Sequence, residues 1–360
     1  MKTTLAIVLL GTLCAGSGTS ARAVCVGASV NSFGAKGDGH TDDTAAIQSA
    51  ISAVSSAGGG SVVFGVARYF TTGTFVVPQG VVLCGTVEGP FDVVGVNPAG
   101  TTIAPTLLIT NTGTPFLTLQ GIGAGVADLL FHYPNQVATS ASAPTVYPYT
   151  ILVSAPGTKV VRSTVTNAYN FLDIEIGRTM AQDLFIGALN TGVKIDHTYD
   201  RVTLRHLFNQ VFWDVLENAQ YPRPIDSWVL THGTGLVVNR MDSLEIHDFF
   251  VFSRFTGILL TDSTDTSQAG ALCGYGAGSD IDLDTVQYGI VAIATNTPGF
   301  KFTNVDIGAA PGLGQAAVQL RTGGSQLPRI EINGGSQRGV WASGAYPPPS
   351  ADTIIVNILP

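Results

Sequence analysis

Two acids occupy the same place in two copies of one short pattern. In Leu172-Asp173-Ile174-Glu175-Ile176 and Val193-Lys194-Ile195-Asp196, apolar residues alternate with polar ones, and Glu175 and Asp196 are 21 residues apart. Parallel strands lie about 4.8 Å apart, so these segments side by side make Glu175 and Asp196 rung neighbours on an outward face. Asp173 falls on that face beside Lys194, and Asn239 and Thr261, ending Leu236–Asn239 and Ile258–Thr261, continue the row. Two carboxylates this close resist joint ionisation, so one pKa rises and supplies an acid near neutral pH. Glycoside hydrolysis asks for that pair: one carboxyl protonates the leaving oxygen and another activates water or attacks carbon. The plainer alternative is a solvated sheet face whose acids pair with Lys194 or solvent.

Asp200 and Asp242 form a second candidate row, each four residues before an apolar residue, Leu204 and Ile246. Turn aspartates commonly bond their own backbone, which is the competing account of both. The sequence therefore offers Glu175, Asp196, Asp200 and Asp242 as catalytic candidates, with Asp173, Lys194, His197 and Asn239 beside them as substrate-binding ones. Between about Phe208 and Thr234 an insertion carries Phe212, Trp213, Asp214, Glu217, Tyr221, Arg223, Asp226, Trp228 and His232. Sugar rings pack their C–H faces on flat aromatics, so Trp213 is the predicted sugar platform, with core packing as the rival use of a Trp there. A second long loop, His132–Thr150, is placed as the opposite wall of a groove. The six histidines show no metal-binding spacing, and there is neither a G-x-S-x-G elbow nor a phosphate-binding glycine loop, so no metal or cofactor is called for.

These residues need a scaffold that stacks. Beyond residue 60 short β segments recur between Gly, Asn, Thr and Asp, and the step near 21 residues suits one coil of a parallel β-helix; the 43 residues from Asp196 to Asn239 read as about two steps with an insertion. Asp183–Ile186, Val202–Leu204 and Leu244–Ile246 read as the next sheet face, approached through Gln182, Asp200 and Asp242. The tail, Pro347-Pro348-Pro349 and then Ile354–Val356, is predicted to close the far end. At the other end Ile47, Ile51 and Val54 share one helical face, Thr41 or Asp42 can cap that helix, and Gly58-Gly59-Gly60 ends it before a strand at Ser61–Phe64. No linker interrupts the repeats, so the expectation is an all-β chain, one right-handed parallel β-helix domain over 24–360 with a short N-terminal capping helix.

Lys2, the apolar run Leu5–Leu13 and Ala21-Arg22-Ala23 have the order of a signal peptide with an A-x-A cleavage site, which predicts a secreted or periplasmic protein. Leu13 before Cys14 argues against lipid attachment there. The run is too short to span a bilayer, which takes about 20 residues. Losing residues 1–23, with Lys2 and Arg22 and no acid, moves the formal charge from −8 to −10, which disfavours nucleic acid and anionic membranes as partners. Cys25, Cys84 and Cys273 then remain, enough for one disulfide and one spare thiol.

The stretch from Phe33 to Gln48, Phe-Gly-Ala-Lys-Gly-Asp-Gly-His-Thr-Asp-Asp-Thr-Ala-Ala-Ile-Gln, resembles the N-terminal cap signature of the pectate-lyase superfamily group that includes rhamnogalacturonase- and epimerase-like proteins and phage tailspikes. The resemblance is strong over 31–90 and diffuse afterwards. It implies a parallel β-helix that works on polysaccharide or oligosaccharide, a capping and turn-forming role for Asp38, Asp42 and Asp43, and an oligomeric state left open, a trimer if tailspike-like. Asn-Thr-Asp, a paired Asp-Asp on the coils, Gly-His-Gly and Arg-Ile-Lys, the polygalacturonase pattern, are absent, so catalytic residues do not transfer. Three functions follow as candidates. A paired-carboxylate glycoside hydrolase leads; a lyase or epimerase acting on a uronate comes next, with Lys194, Arg178, Arg201 and Arg205 as local cations; a non-catalytic carbohydrate-binding or tailspike-like module is third.

Overall fold

The computed structural model describes residues 25–94, 96–137, 143–213, 224–267, 270–342 and 353–357. The predicted signal peptide, Cys14 and the run Pro347–Pro349 lie outside them.

Side-chain alternation in stacked strands dictates the architecture. Three parallel ladders run the length of a right-handed β-helix, and each places one apolar residue per coil in a common interior. The first ladder stacks Ala28, Val62, Leu83, Val126, Val160 and Ala181 and continues through Leu204 and Ile246 to Phe302 and Ile332. The second stacks Tyr69, Leu107, Phe131, Val165 and Ile186. The third stacks Val77, Leu119, Val153, Ile174, Ile195, Val238, Leu260 and Ala292.

One residue turns the chain from the first ladder into the second on most coils. Arg162, Asp183, His206, Asp248, Asp280 and Asn304 all have φ between 47° and 57°, the left-handed region that Asp and Asn tolerate best among residues with a side chain. The same column explains a register the sequence pattern misplaced. Thr179 pairs with Val202 and Val202 with Leu244, so Gln182 stands level with Arg205 and not with Asp200, and Asp183 is the corner beyond this ladder, on a level with His206.

Helix α1 (Thr44–Ser56) covers the N-terminal end with Ile47, Ala50, Ile51 and Val54 buried. Asp42 accepts from the Thr44 N–H at 3.0 Å, while Asp43, at the N-cap position, turns its carboxylate to the Lys36 and Gly37 N–H groups at 2.6 and 3.0 Å. Asp38 accepts from the His40 and Thr41 N–H groups. All three acids close turns, as the resemblance implied. At the other end Thr353–Asn357 pairs antiparallel with Arg329–Asn333, which closes the last coil. Cys25 is bonded to Cys84, and Cys273 is a buried thiol.

The 43 residues from Ile195 to Val238 form a single coil, not two, because these residues pair directly across the third ladder. The extra length lies between the second and third ladders. It holds a turn at Val211–Trp213 and helix α2 (Pro224–His232), which the sequence reading left as loop; Asp214, Glu217, Tyr221 and Arg223 lie outside the described residues. Ile225, Trp228 and Val229 of α2 pack on Leu189, with Tyr169, Phe212 and Phe252 around them. None of the described helices is long and apolar enough to cross a membrane.

Candidate functional site

The third ladder sets Asp173 beside Lys194 in register and, one step on, aligns Glu175 with Asp196 and Asp196 with Asn239 through the Asp196 N–H to Ile174 carbonyl and Asn239 N–H to Ile195 carbonyl bonds, both 2.9 Å. Inward Ile174 and Ile195 fix the phase, so the polar side chains between and after them leave on the outer face. Lys194 Nζ sits amid three carboxyls, 2.7 Å from Glu175 Oε1, 3.3 Å from Asp173 Oδ1 and 3.9 Å from Asp196 Oδ2. His197, held at φ 53°, bonds Glu175 Oε2 through Nδ1 and Asp265 Oδ2 through Nε2 at 3.0 Å. A ring that donates from both nitrogens is an imidazolium. Burial is the largest single influence and works against that charge, but the bond to Glu175, the Glu175 and Asp196 charges and the bond to Asp265 together outweigh it, and the His197 pKa is raised.

The carboxyls part company here. Burial pushes Asp173 up to about 7, with the adjacent Glu175 charge adding to it against the pull of Lys194. Burial also pushes on Glu175, yet the bonds from Lys194, Asp173 and His197 prevail and hold it below the usual carboxylate range. Asp173 Oδ1 is buried without a hydrogen bond, Lys194 standing in ion-pair range but out of bonding geometry. The raised pKa thus falls on Asp173, which the sequence offered only as a substrate-binding residue, two positions before a Glu175 whose own pKa is lowered.

Asp196 is 2% exposed, so the outward, solvent-facing carboxylate that alternation alone implied is corrected. Its oxygens accept from the His197 N–H at 2.8 Å, the Arg240 N–H at 3.2 Å and Ser263 Oγ at 2.9 Å. Asn239 is likewise buried, its amide donating to the Asp262 carbonyl at 2.7 Å, which leaves it holding a loop where substrate binding was expected. Asp200 and Asp242 lie in turns, paired with Arg178 at 2.6 Å and Arg240 at 2.5 Å; the described contacts of neither reach Asp173 or Glu175. Hydrogen bonds from Arg178 and from the Arg201 N–H lower the Asp200 pKa, as expected of a turn aspartate.

Trp213 is not a sugar platform. It is 5% exposed, stacks on Phe185 with ring centres 4.3 Å apart and planes within 4°, and packs with Phe91, Val93, Ala104 and Leu130 against the outer face of the second ladder. An insertion that folds back onto an apolar sheet face buries its largest ring there. Trp213→Ala is expected to cost about 3–5 kcal/mol of stability in urea unfolding and to leave substrate affinity unchanged. The proposed opposite wall also turns inward: Tyr133 and Tyr147 are buried, ring centres 4.7 Å apart. From that loop Tyr149 does reach the site, close enough to Asp173 and Glu175 that burial and their charges raise its pKa and keep the phenol neutral. Arg240, Ser263 and Asp265 complete the cluster and escaped the sequence reading; they come from connections between ladders, where no repeat announces them.

Residues 27–102 match the family model described as rhamnogalacturonase A/epimerase, pectate lyase-like. Among solved structures, the A-module of the mannuronan C-5 epimerase AlgE6 of Azotobacter vinelandii superposes with TM-score 0.52 at 15% identity, over 90% of this chain and 97% of that one. The tailspike protein of E. coli bacteriophage HK620, in complex with a hexasaccharide, gives TM-score 0.60 at 11% identity, over 86% of this chain and 56% of the tailspike. The chain folds as a parallel β-helix, as these structures do. No curated protein sequence matches this β-helix, and at these identities the structural likeness speaks for fold, so its chemistry must be argued from Asp173, Glu175 and Lys194 themselves.

Proposed function

We propose that this protein is an exported glycoside hydrolase that cleaves a polysaccharide, with Asp173 as general acid and Glu175 as nucleophile. One observation carries the reading: adjacent carboxyls on one strand, Asp173 neutral up to about pH 7 and Glu175 held ionised by Lys194 and His197. Asp173 gives its proton to the glycosidic oxygen as the C–O bond breaks and the leaving sugar departs as an alcohol, while the Glu175 carboxylate bonds the anomeric carbon; Asp173, now ionised, takes a proton from the water that then displaces Glu175. Asp196 and Asp265 are positioning residues, the first fixing the backbone under His197 and the second its ring.

The cations favour hydrolysis over elimination or epimerisation. A lyase or epimerase needs a positive group to neutralise the uronate carboxylate. Lys194 is committed to Glu175 and Asp173, Arg178 to Asp200 and Arg201 to Glu245, while Arg205 lies on the first ladder between Gln182 and His247. The structural neighbours, a mannuronan C-5 epimerase module and a tailspike in complex with a hexasaccharide, support a glycan as ligand. The test is incubation of the secreted protein with a polysaccharide panel. Reducing ends without absorbance near 235 nm are expected; an unsaturated product absorbing there would replace the hydrolase with a lyase, and binding without product would leave a carbohydrate-binding module.

A further inference from the structure

Tyr199 is an exposed aromatic two residues beyond His197. It is 52% exposed, and Phe33, at 36%, is the other aromatic among the exposed large apolar residues described. A tyrosine left in water at a turn has given up the apolar burial that large rings normally gain. Its ring is nevertheless fixed: the Arg240 guanidinium lies 4.6 Å from its centroid, and that guanidinium is anchored by both oxygens of Asp242 at 2.5 and 3.2 Å. The same Arg240 donates its backbone N–H to Asp196 Oδ1, and Thr198 bridges in parallel to Met241. The ring therefore shares one braced turn with Asp196 and with His197, which bonds Glu175.

We propose that Tyr199, braced by Arg240, is a stacking subsite for an uncharged pyranose ring of the glycan. This rests on the reading of the Asp173–Glu175 cluster as the site of glycan cleavage. Stacking needs a flat ring already held in place, because a rigid platform loses little side-chain entropy when the sugar arrives. The charge balance selects uncharged sugars: even with Asp173 protonated, Glu175, Asp196 and Asp265 outnumber Lys194 and His197, and Arg178, Arg201 and Arg240 are each committed to a carboxylate. A uronate on Tyr199 would meet a net negative surface. A neutral ring pays no such penalty and offers its C–H face.

Affinity electrophoresis of the full chain reads binding without turnover. The gels would contain galactomannan, xylan or mixed-linkage glucan as neutral probes, and polygalacturonate or alginate as polyuronates. Expected are retardation in at least one neutral gel and in neither polyuronate gel, an increase of about tenfold in Kd for Tyr199→Ala, and retention of binding by Tyr199→Phe. Equal binding by Tyr199→Ala and wild type, retardation only by polyuronates, or no retardation in any gel would overturn the subsite. Tyr199-dependent binding by a protein that releases no reducing ends would retire the hydrolase and keep the platform; cleavage at wild-type affinity by Tyr199→Ala would do the reverse.

Discussion

Asp173→Asn is expected to lower kcat by roughly 10²–10⁴-fold with little change in KM, the usual contribution of a positioned general acid. The variant has no proton to give to the leaving oxygen, yet it keeps the size of the side chain between Lys194 and Glu175. The pH profile separates this role from a structural one. In the wild type the alkaline limb of kcat should fall as Asp173 loses its proton, with an apparent pKa near the value of about 7 that burial and the Glu175 charge impose. The residual activity of Asp173→Asn should lack that limb.

Stability moves the other way, and the sign follows from proton binding. Unfolded Asp173 ionises near 3.8, while the folded chain holds its proton to about 7, so between those values the native state binds more protons and this residue erodes stability as pH rises. Asp173→Asn should therefore be at least as stable as wild type at pH 8. An inactive variant that also melts early would argue for packing; a fully active one would end the assignment of Asp173 as acid.

Much of this site was legible because a β-helix repeats. Alternation in 172–176 and 193–196, with a step of 21, is enough to put Asp173 beside Lys194 and Glu175 beside Asp196, and the ladder pairs them so. Alternation reports direction, however, and burial depends on what folds over the face. Asp196 and Asn239 point outward and are still covered, because the chain after Thr261 returns with Asp262 and Ser263 bonded to them. That the raised pKa falls on Asp173 was illegible for the same reason: it turns on burial, while the bonds from Lys194 and His197 go to Glu175. Trp213 left its expected part through the same gap, since the insertion is drawn onto the apolar rings of the second ladder. The cap was the most readable segment, because each of its aspartates answers a local backbone N–H.

Lys194→Met should be the most destabilising substitution at the site and the most sensitive to pH. Removing one member of a fully buried ion cluster costs about 3–5 kcal/mol. Lys194 is 26% exposed, so water screens part of the loss and about 2–3 kcal/mol at pH 7 is the expected figure. The sign of the pH dependence comes from Glu175. Its folded pKa lies below the unfolded 4.5, so its stabilising contribution is complete above pH 4.5 and fades as pH falls through the folded value. Without Lys194 that depression is lost, and Asp173, Glu175 and Asp196 face one another with only the His197 charge between them. Their pKa values should rise, the native state should bind extra protons near pH 4 to 6, and the gap between wild type and variant should shrink toward acid pH. Urea unfolding at pH 4 and pH 7 measures it directly. A gap of equal size at both would mean that the lysine stem contributes packing alone and that its charge does not set the carboxyl pair, in which case Glu175 would have no held charge with which to attack the anomeric carbon.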